Sequence, residues 1–156
     1  MLGAINFIGN LMPNNQRFFT ASTVTVNASI TDIWNVLEDV RGWINWDQRF
    51  EKIEYEGPFS AGVKFKIFPQ GRTPQNAKFK VVTMDTAFSY ETQISLCVVV
   101  HSHHVEKIGD FAKITCEIES VVDEARIEEF SRKVWPRMQI GLPVALNNLV
   151  SLVEAS

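Results

Sequence analysis

Only two cysteines occur in the 156 residues, Cys97 and Cys116, and they form no CxxC spacing. A disulfide framework is therefore not expected, and both read as free thiols in a reducing, cytoplasmic compartment. Basic residues are not in excess: 15 Lys and Arg against 18 Asp and Glu give a formal net charge of -3. No electrostatic reason to bind nucleic acid follows. Long apolar runs are also missing. The greasy opening, MLGAINFIGNLMP, is interrupted by Asn6 and Asn10 and meets its first basic residue only at Arg17. It fits neither a secretory signal nor a membrane span. Residues 1–18 are expected to be an N-terminal extension, either a cover packed on the sheet or on a neighbouring subunit, or a plug or lid over a cavity. The Pro13, Asn14, Asn15 break separates it from one domain at 19–156. The chain has no Gly-rich phosphate loop, no HExxH and no G-x-S-x-G elbow, so phosphate-loop, zinc-protease and serine-hydrolase chemistry lose their usual carriers. No cofactor is expected.

What is present is an amphipathic C-terminus behind a series of alternating segments. Ile127, Phe130, Val134, Met138, Leu142, Ala145, Leu149 and Leu152 recur at three-to-four spacing. They predict one long helix from about Arg126 to Glu154. Val144, Leu146, Val150 and Val153 widen its apolar stripe, and such a helix must be enclosed by something concave. Pro136, Gly141 and Pro143 predict a bend near the middle, or else a new helix starting at Pro136. The bend either follows the sheet or marks a ligand portal.

Residues 20–27 alternate as a half-buried strand. Ser29 and Asp32 then supply a helix cap and a first-turn carboxylate for a helix to about Asp39. Three of the four tryptophans, Trp34, Trp43 and Trp46, crowd into the next stretch. They read either as corner filling between helix and sheet or as an exposed binding surface. The run VTVNASITDIWNVLEDVRGWINWD resembles the opening of the START-like SRPBCC superfamily, polyketide cyclase/dehydrase-like branch. The order strand, helix with a buried Trp, and W-x-x-W-[DN] turn is shared, and the likeness extends over residues 20–154. It implies an α+β helix-grip fold, in which a curved seven-stranded antiparallel sheet wraps a long C-terminal helix. Two short helices follow the first strand, and the cavity takes hydrophobic ligands. Functions in the superfamily range from carriers to cyclases.

Strand phase gives the inward residues independently of that likeness. Ile53 and Tyr55, then Val63, Phe65 and Ile67, then Ala77, Phe79 and Val81, then Phe88, Tyr90, Thr92 and Ile94, and finally Ala112, Ile114, Cys116 and Ile118 are expected to face in. The sixth strand, residues 96–108, holds all three histidines. Val99, His101, His103 and Val105 share its inner phase unless a bulge between Val98 and His101 resets it. His101 and His103 would stand roughly 6.5–7 Å apart. They read as satisfied inner-face polar groups, as ligand anchors, or as a general acid and base. A metal site would need further ligands, and no inward Asp, Glu or Arg emerges from the strand phases. None is predicted.

Binding or transport of a hydrophobic or aromatic small molecule, lipid- or polyketide-like, is expected ahead of catalysis. Its cavity would be lined by Phe65, Ile67, Phe79, Val81, Phe88, Tyr90, Thr92, Met138 and Leu142, with His101 and His103 as polar groups. A cyclase/dehydratase-type enzyme using His101 or His103, without metal, is the first alternative. A filled-core interaction module presenting Trp43, Trp46 or the N-terminal segment is the second. The expected partner is the small molecule, with a second copy of the chain as a further candidate and no stable membrane insertion.

Overall fold

The computed structural model describes residues 14–155. The expected cover or lid at the N-terminus lies largely outside them. Seven strands form one antiparallel sheet: β1 (Gln16–Val26), β2 (Phe50–Glu54), β3 (Lys64–Pro69), β4 (Gln75–Thr83), β5 (Ala87–Gln93), β6 (Val98–Ile108) and β7 (Phe111–Val122). Their order is β1-β7-β6-β5-β4-β3-β2. Between β1 and β2 lie helix α1 (Ile30–Glu38) and a 3-10 turn (Val40–Asn45); after β7 come a 3-10 turn (Glu124–Arg126), α2 (Ile127–Lys133) and α3 (Trp135–Glu154). This is the expected α+β helix grip. It buries the sheet's inner face under the terminal helices.

The local chemistry explains the elements. Ser29 accepts the Asp32 N–H at 3.1 Å, capping α1, and Ile33, Trp34 and Leu37 form that helix's buried side. β1 begins earlier than its alternation suggested. Phe18, placed by sequence in the extension, pairs with Ser120 and packs edge-on against Phe130 and Trp135, at centroid distances of 4.9 and 5.4 Å. Residues 16–18 therefore belong to the sheet.

Two expectations fail for identifiable reasons. Val81 points outward and is 51% exposed. The β4–β5 register shifts between Phe79 and Val81, so Phe79 faces Tyr90 but Val82, not Val81, lies opposite Phe88. One extra residue turns the following side chains to the other face. The terminal helix is also not a single bent rod. It breaks at Val134 (φ -113°, ψ -54°), and Pro136 sits in the first turn of α3, where its missing N–H leaves no hydrogen bond unmade. The break rotates the apolar stripe: Leu142, Ala145, Leu146, Leu149 and Val153 are buried, whereas Val144 and Leu152 are exposed. Pro143 lies inside α3 without ending it.

Candidate functional site

The β5–β6 register brings the histidines to aromatic neighbours. His101 lies opposite Tyr90, and His103 opposite Phe88. No bulge intervenes, so both imidazoles face in. His101 stacks on Tyr90 at 4.5 Å and 10°, and His103 on Phe88 at 4.3 Å and 7°. Thr92 Oγ1 lies 3.4 Å from His101 Nε2, while His103 Nδ1 is buried with no hydrogen-bond partner among the described residues. Burial, helped by the nearby Arg49 charge, pushes the His103 imidazole down to about 3. The same two causes, with His103 adding to them, hold His101 well below the ordinary histidine range. Both rings are neutral at pH 7. Burial likewise pushes up the Tyr90 hydroxyl and the Cys116 thiol, so neither supplies an anionic nucleophile.

Trp43 fills the space above these rings. It is 1% exposed, donates from Nε1 to the Leu37 carbonyl at 2.8 Å, and contacts Phe65, Phe79, Phe88, Tyr90 and His103 at centroid distances of 5.2–6.4 Å. Phe59 closes the cluster against Phe79 and Phe88. Trp46 is buried as well. Corner filling is thus the role of these tryptophans, and a binding surface built on them is excluded.

The turn between the 3-10 segment and β2 contributes the charges that strand phase missed. Asp47 is buried, and its carboxylate accepts from Arg49 Nε at 2.9 Å, Arg49 Nη2 at 2.6 Å and the Arg49 backbone N–H at 3.1 Å. The inward acid and the inward arginine, both thought absent, are present as a pair. Burial pulls the Arg49 guanidinium down, but the Asp47 charge and hydrogen bonds together outweigh that and leave it above its ordinary value. Gly141 of α3 makes the room. A Cβ there would stand 2.7 Å from Arg49 Cδ.

Beside this pair lies a cavity of about 220 Å³ lined by Arg49, Phe50, Ile67, Pro69, Gln70, Arg72, Gln75, Thr92, His101, Val134, Arg137 and Met138. Four of the expected lining residues are there: Ile67, Thr92, His101 and Met138. Phe65, Phe79, Phe88, Tyr90 and His103 are inward but belong to the Trp43 cluster, Leu142 is buried outside the lining, and Val81 faces solvent. Arg72 and Arg137 come from a loop and a helix start, where no period marks the inner side. The only sequence signal for Arg49 was its place two residues after Asp47 in a turn. Among the described residues no group of three or more His, Cys, Asp or Glu is placed to hold a metal ion, and no helix is long and apolar enough to cross a membrane.

No protein-family model and no curated protein matches the chain. Solved structures do. A hypothetical protein from Helicobacter pylori, jhp0584, superposes with a TM-score of 0.73 at 17% identity, covering 87% of this chain and 88% of that one. The shared fold is the helix grip. Truncated norcoclaurine synthase from Thalictrum flavum shares the helix grip at a TM-score of 0.71 and 18% identity, covering 91% of this chain and 96% of that one. The same enzyme in complex with dopamine and hydroxybenzaldehyde gives 0.67 and 21%, over 89% and 87% of the two chains. At these identities the likeness shows the helix grip alone.

Proposed function

We propose that this chain binds a small molecule with an apolar body about the size of one ring. The observation that carries the reading is the pocket itself: about 220 Å³, with apolar walls from Phe50, Ile67, Pro69, Val134 and Met138, and with Thr92 and His101 among the polar groups that line it beside Gln70, Gln75 and three arginines. A dry cavity of about 150 Å³ accepts benzene, so this one suits a single ring with a short substituent rather than a lipid chain or a multi-ring polyketide. The helix-grip norcoclaurine synthase was solved with dopamine and hydroxybenzaldehyde, which are molecules of that size. Neutral His101 and Thr92 offer a donor and an acceptor to a ligand hydroxyl or carbonyl. Native mass spectrometry of the purified protein, with identification of what denaturation releases, tests the reading directly. A stoichiometric one-ring compound supports it. An empty protein whose melting temperature no one-ring aromatic raises refutes it.

A second reading, a metal-free lyase or cyclase with His101 moving the proton, is favoured by one observation. A neutral imidazole, a group able to take a proton, lines the same pocket as the Arg49 of the Asp47 pair. His101→Ala separates the two readings. Under this second one it abolishes turnover of a bound carbonyl compound while leaving binding within a few-fold.

A further inference from the structure

Resting on the binding reading above, we propose that the ligand is a carboxylate, its apolar body held inside and its anionic head at the pocket mouth between Arg72 and Arg137.

Both arginines line the same cavity, Arg72 from the loop between β3 and β4 and Arg137 from the first turn of α3. Among the described residues neither has an ion-pair partner of opposite sign. The ion pairs among the described residues join Asp47 to Arg49, Glu119 to Arg17, and Glu54, Glu91, Glu106 and Glu129 to lysines. None involves Arg72 or Arg137. Glu51 borders the outer groove beside Arg72 but is not within ion-pair distance of it. The first 13 residues contain no Asp or Glu. The Arg72 side chain donates from Nη2 to the Lys133 carbonyl at 3.1 Å, which fixes its direction and, being a neutral acceptor, leaves its charge uncompensated among the described residues. Burial, and secondarily the charge of Arg137, lowers the Arg72 guanidinium below its ordinary value, as expected when two like charges share one opening.

The concentration of positive charge is local. The chain as a whole carries a formal net charge of -3, so the mouth is not one sample of a basic surface. The residue type is also informative, because a planar guanidinium meets a carboxylate through two parallel hydrogen bonds that an ammonium cannot make. The start of α3 adds to the field. No side chain caps it, and its positive dipole end lies at the Val134 and Arg137 side of the pocket. Inside, Arg49 is already committed to Asp47, so the uncompensated charges are at the rim and the apolar walls lie behind them. An aryl or short branched-chain acid fits that order of chemistry from mouth to floor.

The test is calorimetric titration of the full chain with phenylacetate and with phenylacetamide, which share one body and differ in charge. Phenylacetate is expected to bind about tenfold tighter at about 50 mM salt, with the preference shrinking at about 500 mM. Arg137→Gln, at an exposed position, should cut the preference to about threefold, and Arg72→Gln with Arg137→Gln should abolish it; Arg137→Gln also leaves the Arg72 bond to Lys133 in place. An amide that binds as tightly as the acid overturns the charge assignment and leaves the pocket reading standing. Phenyl phosphate binding more than about tenfold tighter than phenylacetate overturns the carboxylate in favour of a phosphate. Failure of both acid and amide to bind at about 10 mM overturns the inference together with the reading on which it rests.

Discussion

Acidification should unfold this protein through its two buried histidines, and the size of the effect can be worked out. In the unfolded chain each imidazole titrates near 6.5; in the folded state His103 is pushed down to about 3 and His101 well below 6.5. Below pH 6.5 the unfolded state therefore binds more protons than the folded one, so stability falls as pH falls and the loss continues toward pH 3. Between pH 7 and pH 5 a histidine that stays neutral in the fold removes about 2 kcal/mol, and two remove about 4 kcal/mol. With a urea dependence of about 2 kcal/mol per molar, the denaturation midpoint should drop by about 2 M. Other groups also titrate, so the decisive quantity is the difference between the wild type and His103→Phe, which keeps a ring stacked on Phe88 and Trp43. The variant should lose about 2 kcal/mol less over the same interval. Equal losses would refute the argument, because they would mean that His103 takes up its proton inside the fold without penalty.

Other perturbations probe the charged turn and the helix. Arg49→Met leaves the Asp47 carboxylate buried without its partner and should cost about 3 kcal/mol in urea denaturation; Asp47→Asn in the same chain should recover much of it. Gly141→Ala, which would ordinarily favour a helix by about 1 kcal/mol, should instead destabilise by about 1–2 kcal/mol, because the new Cβ meets Arg49 Cδ at 2.7 Å. Thermal denaturation should show Pro143→Ala more stable by at least about 1 kcal/mol, since an exposed proline inside α3 denies the Gln139 carbonyl its N–H.

The parts of the fold legible in the sequence are those with a period. Alternation placed Phe65, Ile67, Phe88, Tyr90, His101 and His103 on the inner face because side chains on a strand have only two directions, and the chain keeps to that rule wherever the ladder is continuous. It misplaced Val81 because one inserted residue at the β4 bulge reverses the direction and leaves no mark in composition. The helix break was visible as Pro136, but a proline reads equally as a bend or a start until the packing of Phe130 and Trp135 on Phe18 decides. The pocket was least legible. Arg49, Arg72 and Arg137 sit on a turn, a loop and a helix start, which have no inner phase to read. Nor does spacing reveal how far Trp43 reaches across the sheet.

That reach sets the scale of what the molecule can accommodate. A single indole occupies the half of the grip that lies over Phe65, Phe79, Phe88 and Tyr90, so the cavity that remains is the remainder after one residue has been subtracted. On the proposed binding reading, Trp43 would act as a size sieve built into the core. A smaller residue at this position would sacrifice packing worth about 3–5 kcal/mol and open the aromatic half of the interior to a larger guest. In this chain the upper limit on guest size would therefore shift through one side chain, with the sheet, the helices and the arginine-lined entrance unchanged.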